Sequence, residues 1–166
     1  MNEIKKMEKI VEVLHKNCKL SLEQVAAISG TSTEDVAAAI DALEKNGTIL
    51  GYGAIINWNK LPSHDKVTAY IELKVTPQRN NGFNRIAQQI YQFPEVKSLN
   101  LMSGSYDFGV TVEGDSIKDI ALFVSEHLSA MESVIGTATH FVLRRFKDDG
   151  IIFPLESEDD REVISL

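Results

Sequence analysis

Apolar residues recur along this chain in two rhythms. As far as about position 50 they return every three or four residues, and from position 67 onward stretches of strict alternation take over. Ile4, Met7, Ile10, Val11 and Leu14 make one stripe, which predicts a helix from Asn2 to Lys16 with Lys5, Lys6, Lys9 and Lys16 lying off it. Ser21-Leu22-Glu23-Gln24 fits a capping box, in which a hydroxyl and an amide three residues on satisfy each other's helix-end donors. Val25, Ala26 and Ile28 then supply the apolar face of a short helix that Gly30 ends. Thr31, Ser32 and Thr33 offer oxygens to cap the next helix. Val36, Ile40 and Leu43 follow at helical spacing, and Asn46-Gly47 is a stop. A short helix, a glycine-bearing turn and a longer helix is the layout of a helix-turn-helix, whose second helix enters the DNA major groove.

The second rhythm begins after a transition. Ile49 to Trp58 is β-branched and aromatic and reads as a strand leaving the first domain, followed by a turn-rich connector from Asn59 to Asp65. Val67 to Thr76 alternates, with Val67, Ala69, Ile71, Leu73 and Val75 on one face. Phe83, Ile86, Ala87, Ile90 and Tyr91 predict a helix from Asn81 to Phe93, ended by Pro94. Val96 to Met102 and Tyr106 to Val112 read as strands around a Ser103-Gly104-Ser105 turn. A helix from Ile117 to Met131 and a strand from Val134 to Arg145 complete the order β-α-β-β-α-β. That is the ferredoxin-like plan, four antiparallel strands with two helices on one face. The predicted class is therefore α+β: a winged-type helix-turn-helix over residues 1–50, a hinge strand and connector over 51–65, a ferredoxin-like domain over 66–147 and an extension over 148–166. A sheet open on one face predicts self-association.

Composition narrows the picture. A hydrophobic fraction of 43% and a charged fraction of 25% predict a packed chain rather than disorder. The net charge of −7 opposes diffuse attraction to phosphate or anionic lipid, so contact with nucleic acid requires a local basic patch. No apolar run approaches the length of a membrane span, Cys18 has no internal partner for a disulfide, and the first residues lack a signal-peptide core; the expected location is the cytoplasm. Seven carboxylates lie from Asp148 onward against Arg161 alone, which reads as a solvated tail, with Ile151-Ile152-Phe153, and less so Val163-Ile164, able to add a short strand to a sheet edge.

Several local patterns together resemble the Lrp/AsnC family of amino-acid-responsive transcription regulators over about Ile4 to Lys147. They are Ser32-Thr33-Glu34-Asp35-Val36 with Ile40, Leu43-Glu44 and Gly47-Thr48-Ile49, Gly51-Tyr52 with Ala54, Pro94-Glu95-Val96, Gly104-Ser105-Tyr106-Asp107, and Val134 with Thr137, Thr139 and Lys147. The resemblance implies a protein that binds double-stranded DNA through its first domain and dimerises through its second, with tetramers or octamers as larger assemblies. It also implies a free amino acid held between subunits near the glycine-containing turn, with no other cofactor. By position the effector contacts are Gly104, Ser105, Tyr106, Asp107, Thr137 and Thr139. Asp107 can accept from an ammonium, and the turn and threonines can donate to a carboxylate. The plainer roles are a hairpin turn and ordinary strand residues.

The recognition helix departs from the family pattern, with Ala39 where an arginine is usual. From Thr33 to Asn46 four carboxylates face Lys45 alone, and Ala37, Ala38, Ala39 and Ala42 make a smooth surface able to touch a thymine methyl. The DNA-contact candidates are Lys5, Lys6, Lys9, Lys19, Ser32, Thr33, Ala37, Ala38 and Asp41. Three readings stay open: a DNA binder drawing affinity from those lysines, Lys16 and multivalency; a regulator with lost DNA binding that mixes with a basic paralogue; and a protein-interaction surface. Catalysis is not expected. Arg79 and Asn80 follow the first strand without the phosphate cradle of an acyl-phosphate hydrolase, and His15, Cys18, His64, His127 and His140 match no zinc spacing.

Overall fold

The computed structural model describes residues 3–61, 66–76 and 82–154. The chain divides into two compact units, residues 1–56 and 57–166.

The first unit is three helices: α1 (Glu3–Lys16), α2 (Leu22–Ser29) and α3 (Thr33–Lys45). Ile10 and Leu14 from α1, Val25 and Ala26 from α2, and Val36 from α3 are buried together, with Ile40 and Ile49 packed against them. Ile4 and Ile28, expected on the apolar stripes, are exposed. Both lie at the margin of a core too small to cover every apolar position. The predicted hinge strand has no sheet partner: among the described residues, those from 50 to 57 join no ladder, and a 3₁₀ turn follows at Trp58–Lys60. An extended segment registers as a strand only when another backbone takes up its hydrogen bonds.

The second unit is one four-stranded antiparallel sheet of β1 (Val67–Val75), β2 (Val96–Leu101), β3 (Phe108–Gly114) and β4 (Val134–Phe141), in the order β2-β3-β1-β4. Helices α4 (Gly82–Ile90) and α5 (Ile117–Phe123) complete the βαββαβ plan, a mixed α+β ferredoxin-like fold. Ala69, Ile71, Leu73 and Val75 alternate into the core, where they meet Phe108, Val110 and Val112 from β3 and Ile86, Ile90, Ile120 and Phe123 from the helices. Edge-to-face ring pairs, Phe83 with Phe108 and Phe93 with Phe123, fill the helix–sheet layer. The single helix expected from Ile117 to Met131 instead continues from α5 as a π turn, Val124–Leu128, which keeps both Val124 and Leu128 buried. The last strand stops at Phe141. Beyond it β5 (Lys147–Asp148) and β6 (Ile151–Ile152) form their own small hairpin, so Ile151-Ile152 does not extend the main sheet. The residues from 62 to 65 in the connector, Arg79, Asn80, and the tail from 155 with Val163-Ile164 lie outside the described residues.

Ile71 is fully buried on the central strand. Ile71→Ala is expected to destabilise the second unit by about 2–5 kcal/mol, read as a fall in the denaturation midpoint.

Candidate functional site

The helix pair α2–α3 is built by its caps. Ser21 and Gln24 close the expected capping box, and the same Ser21 hydroxyl holds the Glu23 carboxyl below its ordinary range. Gly30 adopts the left-handed conformation, φ 69°, with its N–H and that of Thr31 both donating to the Ala26 carbonyl. That conformation is costly for any residue with a Cβ, which is why the turn needs glycine here. Ser32 then caps α3 by accepting from the Asp35 N–H at 3.1 Å, while the Thr31 hydroxyl donates to the Asp35 carboxylate at 3.0 Å.

With Val36 and Leu43 turned into the core, α3 presents Glu34, Ala37, Ala38 and Asp41 on its outer face. Ser32 is exposed and Thr33 half-buried at the same end. Three of the helix's carboxylates have partners: Asp35 as above, Asp41 with the Lys45 ammonium at 2.6 Å, and Glu44 with the Tyr52 hydroxyl at 2.8 Å. The bond to Glu44 raises the Tyr52 ionisation above its ordinary value and ties the exit segment back to α3. Of the candidate lysines, Lys5 and Lys19 are exposed and Lys6 and Lys9 half-buried; the first, third and fourth lie on α1 and Lys19 in the α1–α2 connection, away from α3 in sequence.

The turn between β2 and β3 is pinned to β1. The β1–β3 ladder ends with Leu73 opposite Phe108. The Asp107 N–H donates to the Leu73 carbonyl at 2.8 Å, and its carboxylate accepts from the Val75 N–H at 2.8 Å, carrying the ladder one step further with a side chain. Met102 N–H donates to the Asp107 carbonyl at 2.7 Å. Ser103, Gly104 and Ser105 are exposed, with Gly104 at φ 156°.

Tyr70 and Gly109 are absent from the sequence-based candidates. Tyr70, on the sheet face away from the helices, hydrogen-bonds its hydroxyl to that of Tyr106 at 2.9 Å, the rings meeting edge to face at 77°. Its ring crosses Gly109, where an added Cβ would collide with the Tyr70 hydroxyl. The hydrogen bond to Tyr106, helped by partial burial, pushes Tyr70 ionisation up to about 12. A raised value means stability that is present below the ordinary ionisation near pH 10 and fades as pH climbs towards 12. The signal available in sequence was an aromatic at an outward position of one strand, diagonal to a glycine on its neighbour.

The other expected effector contacts lie elsewhere. Thr137 and Thr139 sit on β4 opposite Leu73 and Ile71, on the helix side of the sheet. β1 therefore stands between them and the turn, a separation of roughly 10 Å at ordinary strand spacing. Within one chain Tyr106 and the threonines occupy opposite faces of the sheet. Two clefts flank the edge strand β2, of about 300 and 370 Å³, and neither is lined by any of the six candidates.

Residues 68–152 match the family model described as the Lrp/AsnC ligand binding domain. The HTH-type transcriptional regulator YugG of Bacillus subtilis (strain 168) is 44% identical over 160 residues, covering 96% of each chain. The chain belongs to the Lrp/AsnC family. It is a transcriptional regulator of the helix-turn-helix type, and the family is not one of enzymes. The proline dehydrogenase transcriptional activator of Rhizobium radiobacter is 27% identical over 143 residues, covering 86% of this chain and 90% of that protein. Among solved structures, the transcriptional regulator NMB0573 from Neisseria meningitidis, in complex with L-Met, shares the fold with a TM-score of 0.69 at 20% identity, over 90% of this chain and 94% of that one. No helix among the described residues of this Lrp/AsnC member is long and apolar enough to cross a membrane.

Ser32→Ala removes the cap of α3 and leaves the Asp35 N–H without its acceptor. It is expected to cost about 1 kcal/mol, measured as a shift of the urea midpoint followed by helical circular dichroism.

Proposed function

We propose that this regulator binds double-stranded DNA through residues 1–50 and senses an amino acid through residues 66–147, with 51–65 as the hinge, 148–166 as a solvated acidic extension, and the cytoplasm as its location. The observation that carries the reading is the capped helix pair, with an outward face on α3, ahead of a match to the Lrp/AsnC ligand binding domain. In this reading Ala37, Ala38 and Asp41 face the major groove, with the alanines against thymine methyls. Ser32 and Thr33 donate to phosphate at the helix start, and Lys5, Lys6, Lys9 and Lys19 supply the counter-charge. The Asp41–Lys45 pair supports it, because the carboxylate nearest the groove brings its own cation.

The effector reading assigns Gly104, Ser105, Tyr106 and Asp107 to one side of an amino-acid site. The L-Met complex of the Neisseria protein supports that ligand class. Because Thr137 and Thr139 are a strand away on the other face, their part in the site requires a second copy of the chain. Self-association as a homodimer, and as tetramers or octamers built from it, is supported by apolar side chains standing in water: Leu50 at 93% and Leu143 at 97% exposure, with Ile152 at 73%. A second reading, a sensing oligomer that acts through a paralogue or protein partner, is favoured by one observation: residues 1–56 hold six lysines against eight carboxylates.

Two measurements separate these. In a mobility-shift titration with the protein's own promoter region, binding is expected at low salt and to weaken steeply as salt rises. Replacing Lys5, Lys6 and Lys9 together by alanine should lower the salt slope by about one per lysine. Absence of binding at low salt, with and without amino acids, selects the partner reading. In a thermal-shift screen of the proteinogenic amino acids, a ligand at about a hundred times its dissociation constant should add about 2.7 kcal/mol, and Asp107→Ala should remove the shift. A flat response across the set removes the sensing claim.

A further inference from the structure

We infer that Tyr70 is a positioning residue for the 103–107 turn and, resting on the effector reading above, for the amino acid held there. Backbone hydrogen bonds fix the ends of this turn, at Met102 and Asp107. Between them, among the described residues, Gly104, Ser105 and Tyr106 make no backbone hydrogen bond, so their N–H groups are unused donors. Such consecutive donors suit a carboxylate, the group that every free amino acid carries. They suit it only while the loop keeps one shape, and the contact that holds the middle of the loop is the phenol pair, Tyr106 to Tyr70 at 2.9 Å.

The arrangement is built rather than incidental. Tyr70 lies on the polar side of β1, where water could satisfy its hydroxyl without help from the protein. It instead lies across the neighbouring strand, over the position where Gly109 leaves out a side chain, and meets Tyr106 edge to face. Asp107 holds the far end of the same turn against Val75, two strand positions beyond Leu73. The turn is thus clamped to β1 at three points, by the Tyr70 hydroxyl and, through Asp107, by the Leu73 carbonyl and the Val75 N–H, and β1 sets the position of the donors. Local pattern assigns no role to Tyr70, because its partner lies 36 residues away.

The test uses the full chain and three variants: Tyr70→Phe, Tyr106→Phe and the double change. Phenylalanine keeps each ring and removes one hydroxyl. Amide hydrogen exchange at Met102 and Asp107, the hydrogen-bonded amides at the two ends of the turn, should rise on the order of fivefold in either single variant, the factor equal to one net hydrogen bond, and no further in the double. Peptides from α2 and α3 serve as the internal control and should not change. The amino acid giving the largest wild-type thermal shift should lose affinity by a similar factor in each single variant, again without further loss in the double. Wild-type exchange in Tyr70→Phe overturns the clamp. Faster exchange with unchanged amino-acid affinity overturns its link to the effector. If no proteinogenic amino acid binds the wild type, the effector reading fails by itself, and the exchange data still decide whether Tyr70 orders the turn.

Discussion

Strand β1 is hydrogen-bonded along both edges, and its sequence divides its two faces sharply. Ala69, Ile71, Leu73 and Val75 build the core, while Tyr70 and Glu72 line the side away from the helices. A one-residue slip would exchange these sets, driving Glu72 and Lys74 into the apolar layer, so register is strongly specified. From that register the rest follows. β3 begins opposite Leu73, Asp107 falls beside Val75, and the turn before it is fixed at the C-terminal end of β1. On the other edge, Glu72 lies close enough for its carboxylate to meet His140 of β4 at 3.3 Å. The candidate ligand turn is thus an outgrowth of the core strand, and its precision is inherited from core packing.

The first unit reaches order by a different route. Its core is small, and its helices are fixed as much by end chemistry as by burial. Two serine caps, a left-handed glycine and the Tyr52–Glu44 bond locate both ends of the helix pair. The same bonds alter the electrostatic reading of α3. Counted along the sequence, the helix looks hostile to a polyanion. In space, Asp41 is matched by Lys45, Asp35 is occupied at the helix start, and Glu44 is turned to the exit segment. Charge that is already hydrogen-bonded within the protein repels phosphate less than charge left bare, although the unit's net sign is unchanged.

Much of this was legible in the residues. Periodicity located α1, α2, α3 and the βαββαβ order, because amphipathic stripes and alternating strands are local signals. The capping box and Gly30 were readable for the same reason, since each is settled within four residues. What was not legible depended on distant partners. Residues 49–58 have strand composition but no strand to pair with, and Ile151-Ile152 pairs with Lys147-Asp148 rather than with the main sheet. α5 gives way to a π turn in which Val124 and Leu128 are both buried, a change that helical spacing alone does not encode. The site was legible in outline only: the turn was found, the tyrosine beneath it was not, and the threonines of β4 were assigned without knowledge of which side of the sheet they occupy.

The bare backbone at Gly109 has a consequence for how such a chain can diverge. The residue is tolerated in the middle of a strand, where glycine is ordinarily a poor choice, because the ring of Tyr70 covers the gap. Neither position is therefore free to drift alone. A lineage that trades the phenol for a small side chain uncovers a weak spot in β3 and gains by filling it, and once filled, the return path is closed by collision. The two sites should behave as a single inherited character, with intermediate forms short-lived.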